Sequence, residues 1–136
     1  MKNILAGTTL SKGVVLTIGA DGYAYPAGIN SGFPVGVAAR SAVAGEPIKW
    51  TPRGKGNICE FQAGGAVSAG DMCYVTAANN GLLVSYPFTG TDLYNIGTGF
   101  AEDSSSVGYQ LQRLPYACVV ALASATSGNT FDGVWI

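Results

Sequence analysis

Short apolar runs separated by glycine-rich turns recur along the whole chain. Residues 14–18 (VVLTI), 33–39 (FPVGVAA) and 116–122 (YACVVAL) are largely β-branched or apolar. Residues 48–51 (IKWT) instead alternate apolar and polar side chains, which is typical of a strand with one buried face. Strands of this length at a regular spacing predict an all-β fold, namely a small β-sandwich, jelly-roll-like or barrel domain.

The chain also repeats itself in outline. Residues 10–13 (LSKG) match residues 67–70 (VSAG) at an offset of 57, and residues 35–45 match residues 118–128 at an offset of 83. Repeats of this kind indicate a scaffold of small units that cannot bury a core singly. We therefore predict an internal duplication in which the matched segments occupy equivalent strands. The offsets differ by 26, so the second half carries an insertion of about that length, which we place at residues 87–115.

A single domain accounts for the length of the chain. Its 136 residues can bury a self-sufficient core. We predict a short extended N-terminal arm at residues 1–12 and a single β domain at residues 13–136. The insertion at residues 87–115 is rich in Gly, Ser, Thr and aromatic residues, and a loop of that length in a compact domain is usually functional.

Charge is scarce and almost balanced. Charged residues make up 11% of the chain and the net charge is −1. No global field therefore draws in nucleic acid or an anionic membrane, and neither is predicted as a partner. The N-terminus lacks the apolar run of a signal peptide and no segment has the apolar length of a membrane span, so we expect a soluble protein made inside a cell. A surface with so little charge favours a protein that is docked on something.

The chemistry of an enzyme or a metal site is missing. The chain has no histidine, so Ser-His-Asp and Cys-His arrangements cannot be built, and no CxxC pair suggests zinc. The carboxylates read as solvated loop residues. We therefore predict no enzymatic activity, no metal and no cofactor. Cys59, Cys73 and Cys118 are odd in number and lie among apolar neighbours, so we expect them to be unpaired, buried thiols.

Three parts of the chain exceed what a minimal strand-and-turn core requires, and we predict that they contact a partner. They are the arm, a cluster of basic residues with a tryptophan, and the aromatic residues of the insertion; aromatic and arginine side chains commonly anchor interfaces. Deleting residues 1–8 should then leave a folded domain that binds more weakly. The candidate contact residues are Ile4, Leu5, Arg40, Lys49, Trp50, Arg53, Lys55, Phe88, Tyr94, Phe100 and Tyr109.

Five segments, in this order, resemble the capsid decoration (cement) proteins of tailed bacteriophages. The resemblance covers most of the chain except the insertion. The chain departs from the family at residues 118–121, which read CVVA where members often read IGVA, and in the length of the insertion. The matching segments are FPVGVA at 33–38, AGEPI at 44–48, AGGAVSAGDMCY at 63–74, NGLL at 80–83 and VVALASATSG at 119–128.

The resemblance implies a structural protein that binds the outside of a phage capsid and cements adjacent subunits. Its partners would be the major capsid protein and further copies of itself, as a dimer or trimer at capsid symmetry axes. It would reside on the virion surface after assembly in the host bacterial cytoplasm. The physical basis would be repeated interface burial, with an arm or strand edge added to a neighbouring sheet.

Two other function classes remain open on the sequence. One is a tail, fibre or adhesin module whose long loop binds a receptor. The other is a small carbohydrate-binding module that uses Tyr86, Tyr94, Tyr109 and Trp50 as stacking platforms.

Overall fold

In the computed structural model the described residues, 3–28, 32–76, 80–85 and 117–136, form an all-β fold with nine strands and no helix. The all-β prediction is therefore confirmed. Each strand is short and most end at a glycine-containing turn, as the apolar runs suggested. The strands are β1 (Val15–Ile18), β2 (Ala24–Pro26), β3 (Gly36–Ala38), β4 (Trp50–Pro52), β5 (Ile58–Gln62), β6 (Met72–Val75), β7 (Leu83–Ser85), β8 (Ala117–Ala121) and β9 (Thr130–Trp135).

Two antiparallel sheets make up the sandwich. Sheet 1 has the order β2-β1-β3-β4, and sheet 2 has the order β5-β9-β8-β6-β7. Every strand pair within the sheets is antiparallel. Sheet 2 without β5 therefore repeats the order of sheet 1 when β6, β7, β8 and β9 replace β1, β2, β3 and β4. We call residues 3–52 the first repeat and residues 58–135 the second repeat.

The strand bounds confirm the predicted duplication at three of the four repeated strands, whereas β2 and β7 are related by an offset of 59. The offset of 57 carries β1 onto β6, and the offset of 83 carries β3 onto β8 and β4 onto the end of β9. The backbone hydrogen bonds of the connecting loops obey the same two offsets. The Lys12 N–H donates to the Ser41 hydroxyl at 3.2 Å, and at the equivalent place the Ala69 N–H donates to the Ser124 hydroxyl at 3.2 Å. The repeated backbone bonds are Leu10 with Ala42 and Val67 with Ala125, Gly13 to Ala38 and Gly70 to Ala121, and Gly45 to Ala6 and Gly128 to Ala63.

The turns that precede β1 and β6 require glycine. Gly13 and Gly70 have φ values of 87° and 91°, in the left-handed region that residues with a Cβ rarely adopt. Gly13 donates its N–H to Ala38 of β3, and Gly70 donates its N–H to Ala121 of β8, which fixes where β1 and β6 begin. The Ser-x-Gly motif that revealed the duplication is thus a conformational requirement shared by the two repeats.

Two hydrophobic clusters stabilise the sandwich. One belongs to the first repeat and includes Leu10, Leu16 and Ile48. The other joins the sheets: Val15 and Val37 of sheet 1 lie in one cluster with the buried side chains of sheet 2. Because β1 places Val15 and Leu16 on opposite faces, sheet 1 contributes to both clusters. The two repeats therefore share a core.

The segment predicted as an N-terminal arm lies on the domain over residues 3–12. Ala6 and Leu10 are each 1% exposed and belong to the cluster of the first repeat. The offset of 57 relates Leu5 to Gln62, the last residue of β5, and Leu5 pairs with Pro47 as Gln62 pairs with Thr130. The described part of the arm is therefore the first repeat's counterpart of the end of β5, and it differs from the extended, separate segment that the sequence suggested.

Candidate functional site

The four basic residues predicted as contacts lie at two separate places on sheet 1. Arg40 and Lys49 are exposed where the chain connects β3 to β4, and the Ala39 N–H donates to the Lys49 carbonyl at 2.9 Å. Arg53 and Lys55 follow the other end of β4. Arg53 is four residue steps along extended chain from Lys49, which corresponds to about 13 Å. The structure therefore does not bring the four into one patch.

Arg53 is held by the domain itself. Its guanidinium carbon lies 5.0 Å from the centroid of the Phe33 ring and 5.5 Å from that of Trp135. Its Nη2 donates to the Ile136 carbonyl oxygen at 2.8 Å. Phe33 precedes β3 of the first repeat, whereas Trp135 is the last residue of β9 in the second repeat and Ile136 follows it. Arg53 therefore contacts both repeats. Replacing Arg53 by glutamate would disturb this packing, so a loss of binding by that variant would not identify a partner contact.

Trp50 is occupied by packing as well. It is half-buried and lies against the cluster of the first repeat. A Cβ added to Gly36 would come within 2.5 Å of the Trp50 ring, so the ring covers the glycine of the neighbouring strand. Lys55, in contrast, is exposed in the turn between β4 and β5. The environment of Trp50 favours the packing role over a stacking platform for a base or a sugar.

Ile4 and Leu5 are half-buried, and both are paired with the chain before β4. The Ile48 N–H donates to the Ile4 carbonyl at 2.9 Å, and Leu5 forms a bridge with Pro47. Ile4 also packs against the cluster of the first repeat. Their side chains are thus partly used by the fold. The aromatic candidates of the insertion lie outside the described residues, namely Phe88, Tyr94, Phe100 and Tyr109, and so does Tyr86.

All three cysteines are free thiols. Cys73 and Cys118 are buried, as predicted, whereas Cys59 is half-buried. Burial raises the pKa of Cys73 to about 12, with a further contribution from the nearby Asp71 carboxylate. Burial also raises the pKa of Cys118 to about 12. The thiolate is the reactive form, so the two buried cysteines are inert in the folded protein.

We expect Cys59 to react with a thiol reagent at pH 8 in the folded protein, and Cys73 and Cys118 to react only after unfolding. The physical reason is that both buried thiols lack access and remain protonated at that pH. Mass spectrometry of the modified peptides, before and after denaturation in urea, measures the three rates separately. Equal rates for all three cysteines in the folded protein would contradict the burial described above.

An open cleft of about 900 Å³ lies beside β1 and β2. Its lining mixes apolar side chains with hydroxyl and amide groups and contains no acidic or basic side chain; the hydroxyl and amide groups come from Thr8, Thr9, Ser11, Thr17, Tyr25, Gln62 and Asn80. At its edge the Tyr25 hydroxyl donates to the Asp21 carboxylate at 2.5 Å. That hydrogen bond lowers the pKa of Asp21 and raises that of Tyr25. The cleft offers hydrogen bonds, but its described lining supplies no group poised for proton transfer near neutral pH.

The outer face of sheet 2 carries a row of apolar side chains that the sequence analysis missed. Val120 pairs with Met72 on one side and with Val134 on the other, and Val134 pairs with Ile58. Ile58 is 65% exposed and Met72 is 43% exposed. The alternation of β9 was visible in the sequence, but which of its faces is open depends on the packing of the other sheet. We call this set the apolar row; its members are Ile58, Val134, Val120 and Met72.

An acidic pair flanks the apolar row. Glu60 lies directly opposite Asp132. Each is two residues from the apolar row along its strand, so both are on the same face as Ile58 and Val134. Like charges directly opposite each other destabilise a strand pair. Lys12 contacts Glu60 at 3.4 Å, whereas among the described residues no ion pair involves Asp132.

Metal and membrane sites are not found in the part of the chain that the structure describes. No group of three or more Cys, Asp or Glu side chains there could hold a metal ion. No helix in that part is long and apolar enough to cross a bilayer.

Comparison with known protein families and with curated proteins finds no match. Among solved structures, the chain is similar to the N base of the head fibre gp8.5 in bacteriophage phi29, known from a crystal structure. The TM-score is 0.63 at 17% sequence identity, and the alignment covers 99% of this chain and 92% of the other. At this identity the likeness is one of fold. It extends over both repeats.

Proposed function

We propose that the protein is a structural component of a bacteriophage virion that attaches to the outside of the head. The observation that carries this proposal is the fold likeness to the base of a phage head fibre over 99% of the chain. The sequence motifs resemble phage capsid decoration proteins, which is a separate line of support for a place on the head. No catalytic arrangement competes with this function among the described residues.

Within this proposal the protein cements the shell by binding adjacent copies of the major capsid protein. A surface with few charges suits repeated contacts with a protein lattice. The exposed Arg40 and Lys49 are the basic candidates for a contact, because Arg53 is engaged within the domain. Arg40→Glu should then weaken attachment and make it more sensitive to salt.

A second candidate is the base of a fibre, because the similar solved structure is the base of a head fibre. A base anchors an appendage and does not need to clamp neighbouring shell subunits. The two candidates share the location on the head and differ in whether the shell depends on the protein for strength.

Purified virions test the location, and heads that lack the protein test the cement. We expect mass spectrometry of virions and labelled electron microscopy to find the protein on heads. If it is a cement, heads without it should release DNA at a lower temperature, and adding the purified protein should restore the release temperature. An unchanged release temperature with the protein still on the head would favour the fibre base. Labelling of tails alone would refute the head-bound function.

A further inference from the structure

The counterpart of the apolar row in the first repeat is buried. The two offsets relate three residues of sheet 1 to three members of the apolar row, namely Val15 to Met72, Val37 to Val120 and Thr51 to Val134. Val37 pairs with Val15 and with Thr51, just as Val120 pairs with Met72 and with Val134. Val15 and Val37 are 0% and 2% exposed, because they lie in the cluster shared with sheet 2. The same face of the repeated unit is therefore covered by a sheet in the first repeat, whereas in the second repeat none of the described strands covers it.

Other exposed apolar side chains extend this open face. Leu122 is 49% exposed, and its N–H donates to the Asp132 carbonyl at 2.9 Å, which places it beside the acidic pair. Ile136 is 41% exposed and lies two residues after Val134, directly beyond the end of β9. A contiguous apolar surface of this kind, bordered by polar residues, marks a protein interface more often than isolated exposed side chains do.

The charges of the two repeats indicate what covers this face. The offset of 83 relates Asp132 to Lys49, so equivalent positions of the two repeats carry opposite charges. Lys49 and Arg40 are exposed together, and Val43 in the same connection is 54% exposed. The same connection also carries Glu46, whose carboxylate accepts the Val43 N–H at 3.0 Å. With two cations and one carboxylate, the connection keeps a net positive charge beside its exposed apolar side chain, which complements an apolar row beside two carboxylates.

We propose that the apolar row is the binding surface for a second copy of this chain, which brings its Arg40–Lys49 connection onto the row and pairs these cations with the acidic pair. The contact is heterologous, since it joins the first repeat of one copy to the second repeat of the next. Contacts of this type close into rings when the rotation between copies permits. The incoming cations also offset the repulsion between Glu60 and Asp132. Within one copy, Lys12 contacts Glu60 but forms no ion pair with Asp132 among the described residues.

The mass of the full-length protein in solution is the first test. We expect native mass spectrometry and light scattering to detect an oligomer once the protomer concentration reaches roughly 100 µM. Met72→Lys and Ile58→Lys should each weaken association by about tenfold or more, because each puts a charge into the apolar contact. Ile18→Lys is the matched control: Ile18 is 39% exposed at the end of β1, away from the row, and its variant should associate like the wild type.

A charge exchange tests the orientation of the contact. Asp132→Lys and Lys49→Asp should each weaken association, and the double variant should recover it to within about threefold of the wild type. Thermal unfolding of each variant separates a change in folding from a change in association. A monomeric wild type, association that survives Met72→Lys, or a double variant no better than the single ones would overturn the proposal.

This proposal is tested on the isolated protein, so its outcome is separate from that of the head-bound function. A monomer that binds heads through the apolar row would overturn self-association and leave the head-bound function standing. An oligomer that is absent from virions would support self-association and refute the head-bound function.

Discussion

Deleting residues 1–8 is expected to destabilise the domain by about 5 kcal/mol, because the segment makes five backbone hydrogen bonds to the rest of the first repeat, each contributing about 1 kcal/mol. The deletion also removes Ala6, which is 1% exposed in the cluster of the first repeat. Urea unfolding followed by circular dichroism measures the loss. The bonds are those of Ala6 with Glu46 and with Gly45, Gly7 with Ala24, Leu5 with Ala24, and Ile4 with Ile48.

The matched control is the deletion of residues 1–2, which removes none of these bonds. We expect its unfolding midpoint to stay within experimental error of that of the full chain. If the longer deletion unfolded at the same urea concentration as this control, residues 3–8 would be dispensable for folding. The segment would then be available as an arm for a partner, as the sequence suggested.

The duplication could be predicted from the sequence because turn chemistry leaves a clear mark. Gly13 and Gly70 both need positive φ, and the small residues around 35–45 and 118–128 repeat the same loop, so these positions keep their residue types. The strands between them keep only their apolar character. Equivalent positions such as Trp50 and Gly133 share no side chain at all. The equivalence of the repeated strands could be predicted from the turns, whereas the order of the strands in each sheet and their packing partners could not.

The contacts of residues 3–10 with the rest of the domain could not be predicted from the sequence, because the similarity of this segment to β5 is structural. Ile4, Ala6 and Leu10 correspond to Phe61, Ala63 and Val67, which is a weak match in sequence beyond the alanine. A segment near the start of a chain with few apolar residues also resembles a frayed end. The bridge between Leu5 and Pro47, together with the backbone hydrogen bonds of Ile4 and Ala6, shows that it closes the first repeat.

The apolar row escaped prediction for a different reason. Val37 and Val120 occupy equivalent positions in β3 and β8 and each is followed by alanine, yet Val37 is 2% exposed and Val120 lies on the open face. Which of two equivalent strand faces becomes covered depends on how the repeats stack. That information resides in the tertiary contacts of Val15 and Val37 with sheet 2. Strand patterns alone cannot distinguish a core face from an interface face.

Phe61→Ala is expected to lower the free energy of unfolding by about 3–5 kcal/mol, which is the cost of truncating a fully buried phenylalanine without collapse of the cavity. Phe61 is 0% exposed, and its ring lies 5.2 Å from that of Trp135 in an edge-on arrangement and 6.1 Å from that of Phe131. The cluster that contains Phe61 also contains Val15 and Val37, so the loss should reach both repeats. Urea unfolding should show one transition shifted to lower concentration.

Ile4→Ala provides the matched control, because Ile4 occupies the position of Phe61 in the first repeat but is only half-buried. We expect it to cost about 1 kcal/mol, less than half the effect of Phe61→Ala. Two separate probes then decide whether the core is shared: Trp50 fluorescence reports the first repeat and Trp135 fluorescence the second, each measured with the other tryptophan replaced by phenylalanine. Coincident transitions in the Phe61→Ala background would follow from one cooperative core. If the Trp50 transition kept its original midpoint while the Trp135 transition moved, the repeats would fold independently, and the contacts of Val15 and Val37 with sheet 2 would contribute little to stability.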